Sequence, residues 1–168
     1  RARALLPAAG LLLAATAPAM ATRPPSPEPG TVFGDWQVEC DAAPDGRRAC
    51  FLSQTQLLRE SNARLIKTSL GYIGAKGEAV LMAMLPLGID LRAGVASQAD
   101  EGEPAPLTLQ QCVQDGCVAS RPLDAAAVAA LAKARTLKVV VMPYGGQQSL
   151  TIPVSLNGVT AGLKALRP

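Results

Sequence analysis

Residues 32–40, VFGDWQVEC, predict how the fold begins. Trp36, Val38 and Cys40 alternate with polar residues in this stretch. Because successive side chains of a β-strand point to opposite faces, these three would share one face and the polar residues the other. The stretch therefore predicts a half-buried strand, with the chain's single Trp in the core or at its border.

Short apolar runs separated by Gly, Pro and Asp predict further strands along the chain. The run 78–85 is apolar on both faces, which predicts a central strand covered on both sides. Residues 97–106 are acidic and are predicted as a loop, while Pro153 would restrict the last strand to an edge or a strand end. After residues 32–40, the predicted strands are 48–58, 63–73, 78–85, 89–93, 107–111, 118–121, 136–142 and 149–154.

Two short helices complete the predicted elements. The first runs from Asp124 to Arg135, with Asp124 as its N-cap and an Ala-rich interior. The second begins at Ser155 or Asn157 and ends the chain. Many short strands with two helices predict a mainly β fold, an antiparallel β-sandwich formed by a single domain over residues 31–168.

The first 21 residues have the pattern of a secretory signal peptide. Two arginines form a basic start, an apolar stretch follows, and Ala19-Met20-Ala21 matches the small residues before a cleavage site. The alternative is a transmembrane anchor, which needs about 20 apolar residues, whereas prolines interrupt this shorter stretch. We therefore expect removal of residues 1–21, a proline-rich tether at 22–30 and no transmembrane segment after cleavage.

The four cysteines form an even set in a chain that we expect to be exported, which predicts two disulfides. Of the three pairings, we expect Cys40–Cys50 and Cys112–Cys117, because each pair is close in sequence and brackets turn residues. A redox site or a zinc site is the alternative. The chain has no Cys-x-x-Cys, and the first pair is spaced more widely than zinc ligands usually are.

The composition argues against nucleic-acid binding and against histidine-based catalysis. The formal net charge is only +3 at pH 7, and the basic residues are scattered instead of clustered. The chain has no His, so it cannot form a Ser-His-Asp or Cys-His unit. We therefore expect no enzymatic activity, no cofactor and no nucleic-acid partner, and we assign no catalytic, cofactor-binding or metal-binding residue.

The chain carries four further motifs, which are FGDWQVEC at 33–40 with Cys50, LPLGIDL at 85–91, Cys112 with Gly116 and Cys117, and IPVSLNG at 152–158. In this order and spacing, they resemble the invasion-associated locus B family of exported proteins from Gram-negative bacteria. The resemblance covers nearly the whole chain after the tether. It implies a β-rich domain with disulfides at the cell envelope and, for some members, a link to host-cell invasion.

These features together predict an exported, non-enzymatic interaction protein of the cell envelope. Its expected location is periplasmic or secreted, including association with the outer membrane, and its expected partner is an envelope or host-surface protein. Arg59, Arg64 and Arg92 are the residues that we expect to make surface contacts. The alternative is a periplasmic protein that binds a small molecule such as a lipid, a peptide or a glycan.

Overall fold

The structure is a computed structural model that describes residues 26–42, 46, 48–73 and 77–167. The predicted signal peptide, 1–21, and the first part of the predicted tether lie outside the described residues. The end of the tether already joins the fold, because the Gly30 amide donates to the carbonyl of Val38 at 2.8 Å.

Ten antiparallel strands form one continuous sheet, which curls into a half-barrel around the core. Their order across the sheet is β1-β2-β3-β4-β5-β8-β7-β6-β9-β10. The mainly β prediction is confirmed, but the sandwich is not, because β7 pairs with both β8 and β6 and so joins what would be two separate layers. The strands are β1 Val32–Phe33, β2 Trp36–Ala42, β3 Arg48–Leu57, β4 Arg64–Tyr72, β5 Ala79–Leu85, β6 Val95–Ala99, β7 Ala105–Val113, β8 Gly116–Leu123, β9 Thr136–Val141 and β10 Leu150–Ser155.

Two helices follow strands at one end of the sheet, which we call the helix end. Helix α1, Ala125–Lys133, begins after β8, and the Asp124 carboxylate accepts a hydrogen bond from the Ala127 amide at 2.7 Å, as predicted for an N-cap. Helix α2 spans Val159–Leu166. Its predicted start at Ser155 or Asn157 is wrong. The chain remains in β10 through Ser155, and Asn157 and Gly158 form a turn before the helix.

Both disulfides of the structure are the predicted pairs, Cys40–Cys50 and Cys112–Cys117. Each joins residues that lie directly opposite each other on neighbouring strands, β2 with β3 and β7 with β8. All four cysteines are therefore in disulfides, and none is left as a free thiol for a zinc site.

The predicted strand at 89–93 is wrong. Ile89 makes only an isolated bridge with Pro143, and the following residues form a turn. The Asp90 carboxylate accepts a hydrogen bond from the Arg92 amide at 3.0 Å. An Asp side chain that bonds the backbone two residues later stabilises a turn instead of a strand, and the alternating pattern did not reveal this.

The predicted loop at 97–106 is wrong at both of its ends. Residues 95–99 form β6 between β7 and β9, and β7 begins at Ala105. Ser97 is buried there, so the acidic character belongs only to the short connection between the two strands. In that connection, Asp100 accepts backbone hydrogen bonds from Arg135 and Thr136.

The central strand β5 was predicted to be buried on both faces, but only one face is fully buried. One face of β5 is fully buried in the core, whereas Val80, Met82 and Met84 on the other face are half-buried. The prediction that Pro153 would restrict the last strand to an edge or a strand end is confirmed, because β10 pairs only with β9. A proline cannot donate a hydrogen bond to a second neighbour, which suits this edge.

A segment near the start of the described chain meets a segment near its end along a contact that we call the seam. One side of the seam consists of residues 33–36 together with Gln54 and Gln56 of β3, and the other side consists of residues 153–158. The Trp36 indole, which is 1 % exposed and thus in the core, donates to the carbonyl of Ser155 at 2.8 Å. Gln54 donates to the same carbonyl at 3.2 Å, and Gln56 donates to the carbonyl of Pro153 at 2.7 Å. Side-chain donors thus satisfy carbonyls of the edge strand β10, which has no strand beside it there.

The seam also brings backbone against backbone at two glycines. The Asp35 amide donates to the carbonyl of Asn157 at 3.1 Å. A Cβ on Gly158 would lie 1.9 Å from the Phe33 carbonyl oxygen, and one on Gly34 would lie 2.5 Å from the Asn157 carbonyl oxygen. Since both glycines also have positive φ angles, any other residue at either position would disrupt the seam.

We predict that Gly158→Ala destabilises the protein much more than Gly145→Ala does. Both glycines have positive φ, so each alanine costs about 1–2 kcal/mol of unfolding free energy. A Cβ on Gly145 has no atom within 4 Å, whereas one on Gly158 collides with the Phe33 carbonyl. The collision should add ~1–3 kcal/mol, measured by urea unfolding. Equal losses for the two variants would show that the seam is not tightly packed.

We predict that Asp100 makes stability depend on pH in the acidic range. The backbone hydrogen bonds from Thr136, then Arg135, hold the pKa of this carboxyl below its ordinary value of 3.8. A lowered folded-state pKa contributes stability above the unfolded-state value, and this contribution is lost as the pH falls through the folded-state value. Asp100→Asn should therefore lower the unfolding free energy near neutral pH and flatten its loss below about pH 4.

Asp115→Asn is the matched control, because the Asp115 side chain is exposed and makes no hydrogen bond or ion pair with the described residues. Its unfolding free energy, measured by denaturant titration across the same pH range, should follow that of the unchanged protein. A variant at Asp100 with the same pH dependence as this control would contradict the assignment.

Candidate interaction surface

Strand direction places four connections at the same end of the sheet, opposite the helix end. From β3 onward, every odd-numbered strand ends there and the next even-numbered strand begins there, because all neighbouring strands are antiparallel. The connections β3–β4, β5–β6, β7–β8 and β9–β10 therefore share this end, while α1 and α2 occupy the other.

Large apolar side chains are exposed at this shared end. Among the described residues, eight large hydrophobic side chains are exposed, and seven of them lie there. Tyr144 is 76 % exposed and Leu87 is 56 % exposed. The eighth residue, Val32, pairs with Gln37 and so lies level with Ser53 in the middle of β3. We call this set the apolar rim: Leu57, Leu58, Leu87, Leu91, Val113, Tyr144 and Leu150.

Backbone hydrogen bonds hold the rim connections in place. The Tyr144 amide donates to the Gly88 carbonyl at 2.8 Å, and the Asp90 amide donates to the Met142 carbonyl at 2.7 Å. These bonds join the β5–β6 connection, which carries Leu87 and Leu91, to the β9–β10 connection, which carries Tyr144. The apolar side chains are thus presented by connections of defined conformation, which lowers the entropy cost of binding.

All three arginines that we expected to make surface contacts lie at the rim end, but they differ in their bonding. Arg59 is exposed in the β3–β4 connection. Arg64 is half-buried at the start of β4 and donates to the Asp115 carbonyl in the β7–β8 turn. Arg92 donates to both carboxylate oxygens of Asp90 at 3.2 Å. Arg64 and Arg92 therefore already have partners within the chain.

The Asp90–Arg92 pair shows mutual electrostatic effects. The side-chain hydrogen bonds from Arg92 hold the pKa of the Asp90 carboxyl below its ordinary value, and the same carboxylate raises the pKa of Arg92. The Arg92 side chain is 86 % exposed, so solvent screens the pair. Its effect is to shape the β5–β6 connection locally, with little contribution to overall stability.

A shallow apolar groove of about 390 Å³ adjoins the rim. Small residues such as Gly94, Ala96 and Ala105 line it, together with Pro106 and Met142. It crosses β6, β7 and β9 on the side away from the core, because Ala96 pairs with Pro106 and Val140 while its neighbours Val95 and Ser97 are buried. The groove extends the apolar surface from the rim onto the flank of the sheet.

A polar groove of about 520 Å³ follows the seam and includes Asp35, Gln54, Gln56 and Arg135. The amide groups of Gln54 and Gln56 donate to backbone carbonyls there, and Asp35 accepts from the Ser155 hydroxyl. Its polar groups therefore mainly hold the seam together, which makes this groove a weaker candidate than the rim.

Within the described part of the chain, no group of three or more His, Cys, Asp or Glu side chains is placed to hold a metal ion. In the same part, none of the helices has the length and apolar character needed to cross a bilayer.

Sequence reasoning selected the three arginines but not the apolar residues beside them. The available signal was bulky apolar residues inside predicted turns, such as Leu87 and Tyr144. Turn positions usually carry small or polar residues, so large apolar side chains at several turns indicate a surface with a role. The position of these turns at one end of the sheet follows only from the strand order, which the sequence does not show.

The chain is similar in sequence to a known protein family and to two of its relatives. Residues 36–167 match the family model described as invasion associated locus B (IalB) protein, and this range contains the whole apolar rim. Two invasion protein B homologues of Brucella abortus, from strain 2308 and from biovar 1 strain 9-941, are each 29 % identical over 136 residues, which cover 80 % of this chain and 77 % of each relative.

A solved structure is also similar. The crystal structure of invasion associated protein B from Bartonella henselae matches with a TM-score of 0.71 and 27 % sequence identity. The match covers 81 % of this chain and 92 % of that one. The similarity therefore extends over nearly all of the Bartonella protein.

We predict that Arg64→Ala lowers the unfolding free energy by about 1 kcal/mol, because it removes the hydrogen bond from this half-buried residue to the Asp115 carbonyl. The control is Arg59→Ala, which changes an exposed arginine of the same end and should stay within about 0.5 kcal/mol of the unchanged protein. Urea unfolding of both variants is the measurement. Indistinguishable variants would mean that Arg64 does not connect β4 to the β7–β8 turn.

Proposed function

The chain belongs to the invasion associated locus B family, and we propose that it is an exported, non-enzymatic protein of the cell envelope that binds another protein through its apolar rim. The observation that carries the proposal is the placement of seven of eight exposed large hydrophobic side chains at one end of the sheet. Clustered exposed apolar residues are costly in water and mark interaction sites.

The chemistry of the rim favours a protein partner over an anionic membrane. Arg59, Arg64 and Arg92 are accompanied at the same end by Glu60, Asp90 and Asp115, so positive and negative charges balance there. Anionic lipid surfaces attract clusters of Lys and Arg without interspersed acids. Protein interfaces instead combine an apolar centre, which is enriched in aromatic residues such as Tyr, with a polar, solvent-accessible rim.

Export is supported by two features of the chain. Disulfides persist in oxidising compartments such as the bacterial periplasm, and this chain forms two of them. Its first 21 residues have the pattern of a signal peptide. The proposed location is therefore periplasmic or secreted, including association with the outer membrane. The names of the relatives refer to invasion, which makes a host-surface protein one of the candidate partners alongside an envelope protein.

A binding role without catalysis is supported by the absence of His from the whole chain. Without His, the chain lacks the side chain that most often transfers protons near neutral pH and that activates a Ser or Cys nucleophile. At the rim end, the Asp90 carboxylate is already bonded to Arg92.

The test is site-specific photocrosslinking in intact cells, with a photoreactive residue in place of Leu87 or Tyr144. The control positions are Val32, which is exposed but lies off the rim, and Ala129, which is exposed on α1 at the helix end. The expected result is a reproducible crosslinked protein from the rim positions and none from the controls, identified by mass spectrometry together with its cell fraction. Equal crosslinking from all four positions, or only lipid adducts, would contradict the proposal.

We predict that the combined change Leu87→Ser, Leu91→Ser and Tyr144→Ser reduces affinity for the crosslinked partner at least tenfold. Burial of each such side chain contributes about 1 kcal/mol or more, and 1.4 kcal/mol corresponds to a factor of ten. The thermal midpoint should remain unchanged, because all three residues are exposed. Val32→Ser, an equally exposed apolar position off the rim, should leave the affinity unchanged.

A further inference from the structure

We propose that a pocket at the helix end binds a small aliphatic carboxylate, a ligand of the fatty-acid class. This inference goes beyond the proposed function, since the pocket lies at the opposite end of the sheet from the apolar rim and neither site requires the other. Helix α1 forms one wall, and strands β5, β6, β7, β8 and β9 form the rest.

The first observation is an arginine on the core side of a strand. Arg121 pairs with Leu81 in the β5–β8 register, and its neighbours on the same face, Ala119 and Leu123, are buried. Arg121 itself is half-buried and lines the pocket. It makes no hydrogen bond or ion pair with any residue that the structure describes. An inward-facing guanidinium without a partner is costly unless an anion or water completes its bonding.

The second observation is the character of the walls. Four leucines contribute apolar surface, each at most 7 % exposed, and four alanines leave the space between them open. The pocket measures about 170 Å³. A single water needs on the order of 10–15 Å³ of such space, so the pocket can hold a chain of several atoms. The leucines are 81, 123, 131 and 137, and the alanines are 99, 105, 127 and 130.

The third observation is the placement of the other polar groups. The Ser97 residue is 3 % exposed, and its hydroxyl donates to the Ala105 carbonyl over a long distance of 3.4 Å. This hydroxyl can still accept a hydrogen bond or turn towards a ligand. Glu103 also lines the pocket, but it is exposed in the connection between β6 and β7.

These groups select an anion with an apolar tail. A guanidinium binds a carboxylate with two parallel hydrogen bonds, which a neutral amide or alcohol cannot reproduce. The aliphatic chain would lie against the leucines and alanines, where it replaces water. Glu103 would repel the carboxylate, so its charge should weaken binding while that of Arg121 strengthens it.

The experiment titrates the purified protein with octanoate, and with octanamide as the neutral analogue, by calorimetry and by chemical-shift mapping. Octanoate should bind and shift amides of α1 and β8, and octanamide should bind at least tenfold more weakly. Arg121→Met, which keeps the length of the side chain and removes its charge, should weaken octanoate binding at least tenfold. Glu103→Gln should strengthen it, and Arg59→Met at the rim end should leave it unchanged.

The thermal midpoint of each variant shows whether it folds. If Arg121→Met does not fold, Glu103→Gln still tests the proposal, because it changes an exposed residue and should strengthen binding. No binding of octanoate at millimolar concentration would overturn the proposal. It would also be overturned by equal binding of octanamide, or by unchanged affinity in both pocket variants. None of these results would affect the proposed role of the apolar rim, which photocrosslinking tests separately.

Discussion

The hydrogen bond from the Trp36 indole to the Ser155 carbonyl joins two residues that are 119 positions apart, and the rest of the fold depends on the seam around it. A ten-stranded sheet has two edges, and an unprotected edge can pair with another chain. Here the edge strand β10 curls back until Gln54, Gln56 and Trp36 satisfy its carbonyls. The curl also encloses the core, because one face of nearly every strand then points inward.

The seam explains why the two ends of the molecule differ. Once β10 is held against β3, the chain that leaves it turns at Gly158 and places α2 against β3 and α1. Both helices therefore cover the same end of the sheet. The other end has only short connections, and their large apolar side chains remain exposed. The same closure that buries the core thus leaves the apolar rim exposed, with a small pocket beneath α1.

Local signals in the sequence predicted much of the fold. Alternation identified β2, turn residues between close cysteines identified both disulfides, and Asp124 marked the start of α1. The failures have a common cause, which is that tertiary contacts decided the outcome. Asp90 turned an alternating segment into a turn, whereas β6 formed in a segment with acidic neighbours because β7 and β9 pair with it.

The candidate site was harder to predict than the fold. The arginines at 59, 64 and 92 were selected one by one, and nothing in their spacing shows that three different connections meet at one end. Arg64 was expected to make a surface contact, whereas its side chain donates to the carbonyl of Asp115, 51 positions away in sequence. The sequence predicted a strand that ends at Arg121 but did not show that Arg121 lies on its core side.

The most direct measurement is carbene footprinting of the protein in intact cells and after purification, with the labelling of each peptide compared between the two states. If the apolar rim binds a partner, peptides with Leu87, Leu91 and Tyr144 will be protected in cells, while the peptide with β1 will be labelled equally in both states. Equal labelling of the rim peptides in cells and in the purified protein, or protection confined to the helix end, would contradict the account.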